Sequence, residues 1–134
     1  MIIDKLPKII KIEGGESPLE SKKVVLDNYR VATFILENTE ENELTVRIKA
    51  YVDDAEDSVG EYIPFLIKEN NAVDFENVTD EGANLTDEGL FLVTINADSL
   101  GRNEYDRISI ELTSGQDIDA TYAFLTQPRY SDNE

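Results

Sequence analysis

The sequence predicts an all-β protein: an antiparallel β-sandwich, immunoglobulin-like or jelly-roll-like, of about seven strands with an extended N-terminal arm. Three observations lead there. Leu44, Val46, Ile48, Ala50 and Val52 alternate with Thr45, Arg47, Lys49 and Tyr51, the period of a half-buried strand. Ile108, Ile110 and Leu112 repeat the pattern in RISIELT. No long segment shows a helical period, and turn residues punctuate the chain at short intervals.

The N-terminal stretch carries Ile2, Ile3, Leu6, Ile9 and Ile10, with Pro7 among them. It reads as an extended arm that ends in a joint, GGESP, so residues 1–18 are arm and joint and residues 19–134 one sandwich domain; the other reading is an ordinary edge strand of the same sandwich. YRVATFILEN is rich in β-branched and aromatic residues and reads as a strand. The short polar stretch 39–43 then suggests a hairpin with the alternating run that begins at Leu44. DDAEDSVGE is an acidic loop, and YIPFLIK a short strand placed at an edge or bulge by Pro64, which has no N–H to donate. A polar loop over 69–89 follows, containing TDEG twice, at 79–82 and at 86–89. The almost uniformly apolar run 90–96 suits a strand covered on both faces. RISIELT and ATYAFLT complete the set, and Pro128 stops the last strand. The expected core comprises Val31, Ile35, Leu44, Val46, Ile48, Phe65, Phe91, Val93, Ile95, Ile108, Ile110, Leu112, Tyr122 and Phe124.

Composition removes whole classes of chemistry. The 134 residues include no cysteine and no histidine, so disulfides, thiolate sites and Ser-His-Asp catalysis are absent. The formal charge of −17 repels a phosphate backbone, which excludes nucleic acid as a partner. No apolar run reaches the length of about 18 residues needed by a membrane helix, and the N-terminus lacks the layout of a secretion signal. The expected location is therefore inside a cell, at least until assembly. The charge is uneven: residues 1–30 carry +1, leaving −18 for the other 104.

Two acidic stretches invite a metal reading. Asp53, Asp54 and Asp57 have the composition of a hard-cation loop, and Asp87 sits in the second TDEG. The spacing does not match the twelve-residue calcium loop, because Ala55 and Ser58 occupy ligand and turn positions. Glycine turns with acids kept in water explain both TDEG copies, and the charges guard the entrance to an apolar strand. No cofactor and no catalytic residue are expected. The arm offers the candidate partner-binding side chains, Ile2, Ile3, Leu6, Ile9 and Ile10: exposed apolar groups at that density mark a contact surface.

The runs VATFILENTEENELTVRIKAYVDD and ISIELTSGQDIDATYAFLTQPRY resemble small virion structural proteins of tailed phages and prophages. The resemblance implies a non-catalytic role, decoration or assembly, with a capsid, neck or tail component as partner and self-association as a further possibility. The protein would then move from cytoplasm to virion. The rival class is a ligand-binding sandwich that takes carbohydrate or calcium, and a small hydrolase using two carboxylates stands third; absence of tryptophan and of an export signal counts against the ligand-binding class.

Overall fold

The computed structural model describes residues 8–26, 29–39, 43–53, 55, 58–96 and 105–128. Among them there is no helix, and twelve strands form two packed antiparallel sheets. Seven strands have five residues or more: β1 (Lys8–Ile12), β4 (Tyr29–Asn38), β5 (Leu44–Tyr51), β7 (Phe65–Glu69), β10 (Gly89–Asn96), β11 (Arg107–Ser114) and β12 (Thr121–Pro128). The other five have two or three: β2 (Leu19–Glu20), β3 (Val24–Val25), β6 (Glu61–Ile63), β8 (Glu76–Val78) and β9 (Ala83–Leu85).

The first sheet runs β1-β12-β4-β10-β7-β8, and the second β2-β11-β5-β6. Both borders of the second sheet are shared between short strands. β2 and β3 line different parts of β11, and β6 and β9 different parts of β5. Between the sheets lies one core, in which Phe34, Val46, Ile48, Val93, Ile108, Ile110 and Leu125 are wholly buried.

The alternation at β5 and β11 places the expected side chains inside: Leu44, Val46, Ile48, Ile108, Ile110 and Leu112 are all buried. Phe65, Phe91, Val93 and Ile95 are buried as well. Four expected core residues are not. On β4 the inward face is Ala32, Phe34 and Leu36, which turns Val31 and Ile35 outward. On β12 it is Ala123 and Leu125, which leaves Tyr122 exposed and Phe124 half-buried. Both strands are apolar on both faces, so period two alone does not choose the phase.

Three other expectations are corrected. β4 and β5 are not a hairpin: β4 pairs with β10 and β12 in the first sheet, β5 with β6, β9 and β11 in the second. Sheets pack about 10 Å apart, and five extended residues span about 16 Å. The connection over 39–43 is therefore long enough to change sheets. YIPFLIK is not one strand. It divides at Pro64 into β6, which borders β5, and β7, which joins β10 in the other sheet. Third, β10 is covered on one face only, with Leu90 exposed and Leu92 half-buried.

The polar stretch 69–89 contains β8 and β9. Each TDEG copy is a turn beside them. Gly82, at φ +94°, closes the first, where its N–H donates to the Thr79 carbonyl at 3.1 Å. A Cβ there would also meet the Val46 carbonyl oxygen at 2.6 Å, so glycine is required twice over. Gly15 is tied to Ile118 by two backbone hydrogen bonds of 2.9 and 2.7 Å.

Candidate functional site: the outer face of the first sheet

The two sheets carry outer faces of opposite character. On the second sheet the outward positions are polar and linked. Glu20 on β2 accepts hydrogen bonds from the Tyr51 hydroxyl, from Ser109 Oγ at 2.9 Å and from Lys49 Nζ at 3.3 Å. Lys49 also pairs with Glu111 at 3.4 Å, and Glu111 takes the Tyr62 hydroxyl at 3.0 Å. Lys23 Nζ lies 4.4 Å from the Tyr51 ring centre and donates to the Ala55 carbonyl at 2.9 Å. Gly60 closes over the same ring, where a Cβ would fall 2.6 Å away.

The protonation of this cluster follows from its contacts. Partial burial disfavours the Glu20 charge, but the three donors together outweigh it and hold the carboxyl below its ordinary value. Burial opposes the Lys49 ammonium, and the Glu20 carboxylate more than compensates, so the amine stays charged. Burial, then the bond to Glu20, pushes the Tyr51 phenol up. With three donors on one carboxylate, the cluster holds charge in place; a groove of about 660 Å³ above it is lined by Lys22, Lys23, Ser58 and Val59.

The first sheet presents something else. Ile9, Phe124, Thr33, Thr94 and Leu66 lie side by side across β1, β12, β4, β10 and β7. The neighbouring row is Lys11, Tyr122, Ile35, Leu92 and Lys68. Val31 lies beyond one row and Leu90 beyond the other. Ile9 is 61% exposed, Leu90 42% and Tyr122 41%. The Thr33 and Thr94 hydroxyls bond each other at 3.2 Å, so each meets part of its hydrogen-bonding need within the face. Among the described residues, only Lys11, Glu37 and Lys68 bring charge to positions in register with this face. Strand and residue spacings give it an area on the order of 400 Å². That is the size of the largest apolar patch on an ordinary monomer, often a functional one. A hollow of about 290 Å³, with Pro64, Leu66, Asn77 and Thr94 in its lining, indents one end.

The residues named from sequence fall as follows. Ile9 belongs to this face, and Ile10 turns the other way, toward a groove of about 470 Å³ between β1 and β2–β3. Ile2, Ile3 and Leu6 lie outside the described residues, as do Asp54 and Asp57. Asp53 accepts the Ala55 N–H at 3.0 Å, and with help from Ser58 this lowers its pKa. The Asp87 side chain is exposed, and its backbone carbonyl accepts from Asn38 Nδ2 at 3.0 Å. Among the described residues no group of three acidic side chains converges as metal ligands would. Sequence reasoning missed Val31, Ile35, Leu92, Tyr122 and Phe124 as surface residues. The signal was present in strands that are apolar on both faces inside a chain of charge −17.

No family model matches the chain, and no curated protein sequence matches it significantly. Among solved structures, the fold is similar to that of the SPBc2 prophage-derived protein YomS. The match covers 94% of this chain and 100% of that one, with a TM-score of 0.56 and 13% sequence identity. A structural neighbour of this sandwich is thus a prophage-derived protein.

Proposed function

We propose that this protein is a non-catalytic assembly component of a phage or prophage particle. It docks on a capsid, neck or tail surface through the outer face of its first sheet. One observation carries the reading: in a chain of charge −17, the outer face of the first sheet takes charge, among the described residues, only from Lys11, Glu37 and Lys68 and is lined by Ile9, Val31, Ile35, Leu66, Leu90, Leu92, Tyr122 and Phe124. Leaving such side chains in water costs about 25 cal/mol per Å² of apolar surface, and a protein partner removes that cost. Aromatic residues at the centre of an interface carry much of its energy, and Tyr122 with Phe124 supplies them here. A patch on the order of 400 Å² is the dry centre of a standard interface, which buries about 800 Å² per partner once its polar rim is included. The prophage origin of the structural neighbour supports the particle as the setting. The protein would be made in the bacterial cytoplasm and then incorporated.

The test is to induce particle production in the bacterium that encodes the protein and to separate particles on a density gradient. The protein is expected in the particle band at a fixed copy number. Particles that band without it, while it remains with the free proteins, would overturn the reading.

A further inference from the structure

The first sheet has two open borders, and they differ in sign. Among the described residues β1 pairs only with β12 and β8 only with β7, so each leaves one side of its ladder without a strand partner. At the β1 border Lys8 and Lys11 are exposed beside Ile9, with Lys22 of the neighbouring segment exposed as well. Of the acids nearby, Glu13 lies 3.8 Å from Lys11 in a pair so exposed that it binds the lysine weakly, and Glu20, on the same groove, is taken up by Tyr51, Ser109 and Lys49. At the β8 border Asp74 and Glu76 are exposed beside Phe75 and Val73, the latter 91% exposed. Lys68, the nearby base, is turned to the Phe75 ring at 5.5 Å and to the Ala72 carbonyl.

Open strand borders invite pairing with another chain, and charge usually guards them. Here the guard is selective. Two β1 borders repel each other, and so do two β8 borders, while a β1 border attracts a β8 border. We propose that the protein associates with a second copy of itself head to tail, the basic β1 border of one copy adding to the acidic β8 border of the next. Ile9 then packs near Phe75 and Val73 on the outer side, Lys8 meets Asp74 and Glu76 on the other side, and Lys11, on the Ile9 side, adds its charge to the basic border. Such a contact joins two different surfaces, so it repeats into a ring or a filament rather than stopping at a dimer. It extends the sheet sideways and leaves the apolar face uncovered. The inference therefore stands apart from the docking reading, and each can fail without the other.

The experiment is sedimentation velocity at about 0.15 M salt, where the Debye length of about 8 Å damps repulsion between whole bodies but not between touching groups. The wild type is expected to grow beyond a dimer as concentration rises. Lys8→Glu with Lys11→Glu makes both borders acidic, and Asp74→Lys with Glu76→Lys makes both basic. Each pair should weaken self-association by at least about tenfold. An equimolar mixture of the two should associate again, because every acidic border then finds a basic one. Should a reversed pair fold poorly by circular dichroism, Lys8→Gln with Lys11→Gln replaces it and should still weaken association. A wild type that stays monomeric to millimolar concentration overturns the proposal. So does a dimer that grows no further, or a mixture no more associated than its parts.

Discussion

Leu36 and Ile35 are neighbours on β4 with side chains of equal size, and they test which face of that strand is the core. Leu36 lies opposite Phe91 and is 1% exposed; Ile35 lies between Tyr122 and Leu92 on the outer face and is half-buried. Truncation of Leu36 to Ala leaves a cavity between two packed sheets, which costs about 2–5 kcal/mol. Ile35→Ala opens no cavity, since water reaches the site. It forfeits about half of the burial of one isoleucine, roughly 1 kcal/mol. For a domain of this size each kcal/mol moves the melting temperature by about 3–5 °C. The expected losses are therefore about 6–25 °C for Leu36→Ala and about 3–5 °C for Ile35→Ala. Thermal and urea melts followed by circular dichroism measure both, with unchanged urea slopes as the check that both variants unfold in the same way. An Ile35→Ala loss equal to or greater than that of Leu36→Ala would refute the assigned phase, and with it the apolar outer face.

Glu20→Gln should cost about 1–2 kcal/mol near neutral pH, the value of hydrogen bonds to a charged acceptor discounted for partial exposure. Because the folded-state pKa of Glu20 is depressed, that difference is full above the ordinary carboxyl range. It should shrink as pH falls below the ordinary carboxyl range and through the folded value; a wild-type advantage over the variant that is unchanged across that fall would contradict the assignment. The raised Tyr51 phenol acts with opposite sign. Its contribution is present below its ordinary value of 10.0 and is lost as pH rises beyond it, so Tyr51→Phe should narrow the alkaline loss of stability. Gly82→Ala should destabilise by about 1–3 kcal/mol through its positive φ and its approach to the Val46 carbonyl. Gly115→Ala, with open space at the Cβ position, should change stability by less than about 0.5 kcal/mol in the same melts.

The all-β class and the interior of β5 and β11 were legible because one face of each is apolar and the other carries Arg47, Lys49, Arg107 and Glu111. That contrast states which side meets water. β4 and β12 lack it: Ala32, Phe34 and Leu36 alternate with Val31, Thr33 and Ile35, and either set could fill a core. The sheet change at Pro64 was half-legible. The missing N–H announced a break in the ladder, but nothing local says that the chain resumes in the other sheet. β8 and β9 were not legible in the polar 69–89 stretch, since strands of three residues take their pairing from β7 and β5 rather than from their own propensity. The candidate face shares the difficulty of β4 and β12: its residues look like core until the partner sheet shows which side is already covered.

Tyr122 and Tyr62 allow the direct test. Tyr122 stands on the apolar face of the first sheet and is 41% exposed; Tyr62 stands on the polar face of the second and is 37% exposed. In the free protein the two rings should therefore oxidise at similar rates under hydroxyl-radical footprinting. In purified particles that contain the protein, Tyr122 is expected to lose most of its reactivity while Tyr62 keeps its own. Protection of Tyr62 with Tyr122 still reactive, or two rings that remain equally reactive, would contradict the assignment of the first sheet's outer face as the surface that meets the particle.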